Sequence, residues 1–311
     1  MKNNIMYYYN LNIDNIYQKN DYYYFDINNE RYELVIYTRD IKEQQAIYEL
    51  NKKMIFANIL VHEIIPNKDK YIVTIINNIP YILYKIHINE KNNLTLQELT
   101  YLSNYNFEYM EELKRDNWNI LWSKKIDYLE YQINQTGKKY PILVDSFSYF
   151  VGLAENAISY VINTTIETKK EQSDIGVISH RKIKDNSKLN SIYNPLNIVI
   201  DHKSRDLSEY IKLSFFNNNK KIFNELDIYF KNSYYSVYGI RLLFARILYP
   251  SFYFDTYDEI LLNIKSENEI LNITNRIEEY EQYIKNIYFY LKKYYNIPEV
   301  EWLTKSLWFS S

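Results

Sequence analysis

The chain contains no cysteine, which excludes a disulfide framework, a thiol nucleophile and any thiolate-held zinc or iron–sulfur centre. Histidine is scarce too: His62, His87, His180 and His202 leave little for an imidazole-rich metal site. Glycine is nearly absent, with Gly137, Gly152, Gly176 and Gly239 the only four in 311 residues. None lies in the first 136 positions, so an N-terminal glycine loop that cradles phosphates is ruled out. No sign of charge dominates either. Lys plus Arg number 37 against 39 Asp plus Glu, a formal charge of -2, which offers no field to hold a phosphate backbone or an anionic membrane. No apolar run reaches membrane-spanning length, and Met1 to Tyr8 lack the apolar core and small-residue cleavage site of a signal peptide. The expectation is a protein made in the cytoplasm, with no transmembrane segment and no nucleic-acid partner.

What remains is ample for a folded chain. A hydrophobic fraction of 47% with 24% charged residues is globular, and the length allows two lobes. Tyrosine is abundant at 36 residues, with Asn, Ile and Lys around it. An adhesive surface would concentrate it in exposed clusters. AT-rich coding would spread it over core and surface alike.

The first 90 residues read as strands around one helix. Tyr22 to Ile27 and Tyr32 to Tyr37 are rich in aromatic and β-branched residues, and Asn28 to Arg31 is a turn-prone gap, so a hairpin is expected. Asp40 with Glu43 has capping-box spacing, and Ile47, Leu50 and Met54 recur on one face, predicting a helix from about Ile41 to Phe56. Val61 to Pro66, Tyr71 to Ile76 and Pro80 to Ile88 return to strand character.

Beyond Asn89 the pattern turns helical. Thr95 with Glu98 forms a second capping box. One apolar stripe runs through Val144, Phe147, Val151, Ala154, Ile158 and Val161; another runs from Ile270 to Leu291, opened by Ser266 with Glu269 three residues on. The expected fold class is α+β, with a small antiparallel β lobe carrying one helix over 1–90 and a larger, mainly helical lobe over 91–311.

The helical pattern breaks between about Lys169 and Ser208, where loops on a rigid scaffold could carry chemistry. Ser179-His180-Arg181-Lys182 opens this stretch, and Ile198-Val199-Ile200 then delivers Asp201 and His202 at the end of an apolar run. A metal-binding carboxylate is presented in this way; so is a solvated Asp at a strand end.

The element order resembles the protein-kinase-like fold of aminoglycoside phosphotransferases and choline kinases. More narrowly, Phe147 to Ala157 and Asp201-His202-Lys203-Ser204-Arg205-Asp206-Leu207-Ser208-Glu209-Tyr210-Ile211 resemble segments of the spore coat CotS-type family, in its YutH branch. The superfamily loop carries His-Gly-Asp with an Asn five residues on, and a later strand carries a metal-binding Asp. The resemblance implies ATP and magnesium as the cofactors of an intact site, and other spore coat proteins as partners. It also implies synthesis in the mother-cell cytoplasm and deposition on the spore.

This chain departs from that pattern. His180 keeps the His, but Arg181 stands for the Gly and Lys182 for the catalytic Asp, and a cation cannot serve as that carboxylate. Ser187 falls at the metal-binding Asn, with Asp185 and Asn186 adjacent. Asp201 matches the remaining metal-binding Asp, with Asn186 as its companion, and Asp206 matches the carboxylate that braces the loop. The strand Tyr32 to Tyr37 lacks the Lys that holds phosphates; Arg39 and Lys42 lie beyond its end, and Glu43 and Glu49 are candidate acidic partners for such a cation. The leading expectation is therefore a catalytically impaired pseudokinase acting in coat assembly or binding. One alternative is an active phosphotransferase in which Asp185 or Asp201 orients the acceptor and Arg181 or Lys182 steadies phosphate charge. Another is a structural, Tyr-rich coat protein.

Overall fold

In the computed structural model, which describes residues 1–19, 22–87, 94–105, 110–183 and 192–305, the chain forms two compact units. The first takes 1–114 together with 177–201, and the second takes 115–176 and 202–311. Packing thus divides the chain differently from the expected 1–90 and 91–311: the segment from His180 to Asp201 belongs with the sheet.

The first unit is built on six strands, β1 (Tyr17–Lys19), β2 (Tyr22–Ile27), β3 (Glu30–Ile36), β4 (Glu63–Ile65), β5 (Thr74–Ile76) and β6 (Ile79–Ile86). All pairings are antiparallel, in the order β1-β2-β3-β6-β4, with β5 also on β6. The hairpin expected over 22–37 is present, but its turn is two residues, Asn28 and Asn29, not four. Both have positive φ, 51° and 62°, as do Asn77 and Asn78 in the β5–β6 turn, at 51° and 65°. These are type I′ turns, whose twist suits a hairpin and which glycine usually fills. Asparagine takes that task here, since its side chain tolerates the left-handed region better than most.

Successive side chains of a strand point to opposite faces, and on β6 both faces are covered. Ile82, Tyr84 and Ile86 join Ile47, Leu50 and Met54 of α2 (Gln44–Phe56), whereas Tyr81 and Leu83 pack with Ile5 and Tyr9 of a helix not expected from the sequence, α1 (Lys2–Tyr9). Each such aliphatic side chain, fully buried, contributes about 1.5–3 kcal/mol. The expected helix start at Ile41 is a single 3-10 turn, Ile41–Glu43, leading into α2. Asp40 accepts from the Lys42 amide as a cap should, but Glu43 turns inward instead of closing the box. At α3 (Leu96–Tyr101) the Thr95–Glu98 box is complete.

The second unit is helical: α4 (Trp118–Thr136), α5 (Pro141–Glu167), α6 (Ser204–Phe216), α7 (Ile222–Asn232), α8 (Val237–Leu248), α9 (Ser251–Leu261), α10 (Glu269–Thr274), α11 (Ile277–Lys292) and α12 (Glu301–Thr304). The 144–161 stripe lies on α5, with Val144 exposed and Phe147, Val151, Ala154 and Val161 buried. The 270–291 stripe is interrupted: it spans α10 and α11, with Asn275 and Arg276 between them. Trp118 and Trp122 form a packed helix face, Trp122 stacking on Tyr249 with ring centroids 4.4 Å apart. Lys212 of α6 is buried, and its ammonium donates to Glu209, Ser251 and the carbonyls of Arg246 and Tyr249, which serves the open C-terminal end of α8. Burial lowers the Lys212 pKa against the pull of Glu209. Tyrosines are spread over core and surface, Tyr84, Tyr253, Tyr257 and Tyr288 being fully enclosed and Tyr71, Tyr128, Tyr131 and Tyr234 exposed.

Candidate functional site

The segment singled out in the sequence is a two-stranded hairpin, β7 (Val177–His180) and β8 (Ile198–Asp201), with His180 opposite Ile198 and Val177 opposite Asp201. Both strands are short apolar runs. Ile178, Leu196, Ile198 and Ile200 join the same core as α2 and β6, so burial against the sheet holds the hairpin in place.

His180 is 1% exposed, and its Nε2 lies 3.0 Å from the Ile192 carbonyl oxygen. A carbonyl only accepts, so Nε2 carries the proton and the ring is a strut for the loop. The next two residues are fixed by Asn197. The Arg181 amide donates to the Asn197 carbonyl at 2.6 Å, the Lys182 amide to Asn197 Oδ1 at 3.0 Å, and Asn197 Nδ2 donates back to the Lys182 carbonyl at 2.7 Å. Their side chains point outward and are exposed. Asp185 and Asn186 lie outside the described residues, as does Ser187. Asp201 ends β8, 2% exposed, and Asp206 is buried in the first turn of α6.

Arg39 lies beyond the end of β3, where it was a candidate to reach phosphate. It is buried and committed elsewhere. Its Nε donates to Glu43 at 2.5 Å, and its Nη1 donates to the carbonyls of Leu196 and Ile198, both at 2.8 Å. Glu43 is thus the acidic partner of a cation, whereas Glu49 lies on the solvent side of α2 with Lys52 at 2.9 Å and Gln45 at 2.8 Å. Lys42 is exposed.

A second polar cluster was not legible in the sequence. Asp174, His202, Ser204 and Ser236 meet within the second unit, all buried. The Ser204 amide donates to His202 Nδ1 at 3.0 Å, which leaves the proton on Nε2, 3.1 Å from Asp174 Oδ1. Ser236 Oγ lies 2.7 Å from both Asp174 oxygens, and the Glu171 amide adds a third donor at 2.8 Å. Burial alone would raise the Asp174 carboxyl, but the bonds from His202, Glu171 and Ser236 outweigh it and hold the pKa below the ordinary value. The four residues come from three separate stretches of chain, and no spacing rule connects them.

Among the described residues no group of three or more His, Cys, Asp or Glu side chains could hold a metal ion. Asp185 and Asn186, the expected companions of Asp201, lie outside the described residues, and no step is derived through a magnesium–ATP group.

A sequence model described as "Spore coat putative kinase YutH" matches residues 2–293. The chain belongs to that family. It is 30% identical over 223 residues to the endospore coat-associated protein YutH of Bacillus subtilis (strain 168), an alignment that covers 65% of this chain and 65% of that protein. The match thus spans just under two thirds of the relative's own length. Among solved structures, an aminoglycoside phosphotransferase from Alicyclobacillus acidocaldarius superposes with a TM-score of 0.61 at 11% identity, covering 93% of this chain and 94% of that one. The AMP-bound spectinomycin phosphotransferase APH(9)-Ia gives 0.58 at 12% identity, over 92% and 93%. At such identities the likeness is one of fold: a kinase-like arrangement with an antiparallel N-terminal sheet and a larger helical lobe. Among the described residues no helix is long and apolar enough to cross a membrane.

Proposed function

We propose that this member of the family is a coat-associated pseudokinase, made in the mother-cell cytoplasm and deposited on the spore, that acts by binding other coat proteins and not by phosphoryl transfer. The observation that carries this reading is the fate of the charged groups at the hairpin. Lys182 stands where the resemblance puts the catalytic carboxylate, and Arg39, one of the two cations beyond the end of β3, is bound by Glu43 and by the carbonyls of Leu196 and Ile198. Phosphoryl transfer depends on a positioned base and on cations free to stabilise the transferring group, and both are compromised together. Coat association is supported by the family and by its curated Bacillus relative.

The test is transfer from radiolabelled ATP with magnesium to a panel of hydroxyl and amino acceptors, run with wild type, Asp201→Ala and Lys182→Asp, beside calorimetric titration of nucleotide. The expected result is no transfer by wild type. Transfer that disappears in Asp201→Ala would establish the competing reading, an active enzyme in which Asp201, with Asp185 or Asn186, holds metal and acceptor.

A further inference from the structure

The β7–β8 hairpin is held by a side chain that comes from outside it. Arg39 reaches across 157 and 159 residues to Leu196 and Ile198, while its Nε is bound to Glu43 in the turn that opens α2. Three elements, the β3 end, α2 and the hairpin, therefore share one guanidinium whose planar fork suits several fixed acceptors at once.

One arm of that fork is left over. Arg39 Nη2 is buried and has no hydrogen-bond partner among the described residues, and the same is true of the Tyr84 hydroxyl on β6.

We propose that Arg39 is the centre of a ligand-independent lock: with Glu43 and the Leu196 and Ile198 carbonyls it fastens the β7–β8 hairpin to α2 and the sheet, so that hairpin order requires neither nucleotide nor metal. The inference deepens the pseudokinase reading and rests on it for the claim that no bound nucleotide does this work.

The experiment is hydrogen–deuterium exchange of the full chain, with and without millimolar magnesium–ATP, on wild type and Arg39→Lys. Wild-type amides of Arg181 and Ile198 to Asp201 are expected to be protected without nucleotide and unchanged by it. Arg39→Lys keeps the charge beside Glu43 but loses the fork, and should speed exchange of those amides by about tenfold or more while the second unit keeps its protection, because local opening is set by local contacts. A hairpin that is unprotected until magnesium–ATP is added would overturn the lock, as would Arg39→Lys exchanging at the wild-type rate. Transfer activity in the ATP assay with a nucleotide-independent, Arg39-dependent hairpin would sink the pseudokinase reading and leave the lock standing.

Discussion

Each unit ties distant segments together with one buried polar centre, and the two centres are made of different material. In the first unit a guanidinium reads backbone carbonyls; in the second a carboxylate collects side-chain and backbone donors from His202, Ser236 and Glu171. The donors of the second centre converge on the Asp174 carboxylate and hold its pKa low, so acid should reach that centre directly.

Arg39→Met is the hardest test of the first centre. It leaves Glu43 buried without its cation and two carbonyls without donors, and removing one partner of a buried pair costs about 3–5 kcal/mol. Urea denaturation should show a loss of that order, with the transition of the first unit displaced. A loss under about 1 kcal/mol, the range of exposed ion pairs, would mean that apolar packing of Ile178, Ile198 and Ile200 holds the hairpin unaided.

Asp174→Asn should cost less, about 1–3 kcal/mol at neutral pH, because the amide keeps one acceptor for His202 or Ser236 while disturbing the other bonds. Its pH signature reports on the carboxylate. The folded pKa of Asp174 is lowered, so its contribution is complete above the unfolded carboxyl value of about 4 and is lost as pH falls through the folded value. Thermal unfolding from pH 7 to pH 3 should therefore bring wild type and Asp174→Asn together in acid. If the Asp174 gap stays constant over that range, the carboxylate's bonds are not what stabilises the cluster.

Gly239→Ala probes the same centre sterically. A Cβ built there lies 2.8 Å from Asp174 Oδ1 and 3.0 Å from His202 Nε2, so the pair must shift, at about 1–2 kcal/mol by the usual cost of overpacking. Combined with Asp174→Asn the effects should not add, since both act on one contact. Strict additivity of the midpoints would place the strain elsewhere.

The contrast also marks what the sequence could say. Strands 22–27 and 79–86, α2 and α5 were legible because apolar periodicity is written in side chains, and the kinase-like order followed from it. The α1 helix was missed: Lys2-Asn3-Asn4-Ile5-Met6-Tyr7 is a poor helical sequence, held by Ile5, Tyr9 and Ile13 packing on Leu34 and Leu83. His180 and Asp201 were singled out by resemblance and lie on the β7–β8 hairpin, but Arg39 was read as a cation that could reach phosphate. Its partners are carbonyls of Leu196 and Ile198, which any residue supplies, so no residue type could announce the clamp. Asp174 was invisible for a related reason: its acceptor role becomes clear only when 28 and 62 residues of chain are folded back upon it.

The smallest expected effect asks whether local backbone chemistry rivals either centre. Asn78 sits at the second position of a type I′ turn with φ of 65°, and Asn29 does so at 62°. Glycine adopts that conformation without the penalty a Cβ brings, and Asn-Gly is the preferred pair for this turn. Glycine also widens the unfolded ensemble, which offsets part of the gain. Asn78→Gly and Asn29→Gly should each change stability by no more than about 0.5 kcal/mol, towards stabilisation, with unaltered hairpin exchange. A gain of 1 kcal/mol or more would show that asparagine in this glycine-poor chain carries real strain at its turns. The two buried centres would then be supporting a backbone that its own composition leaves short of the residue it needs.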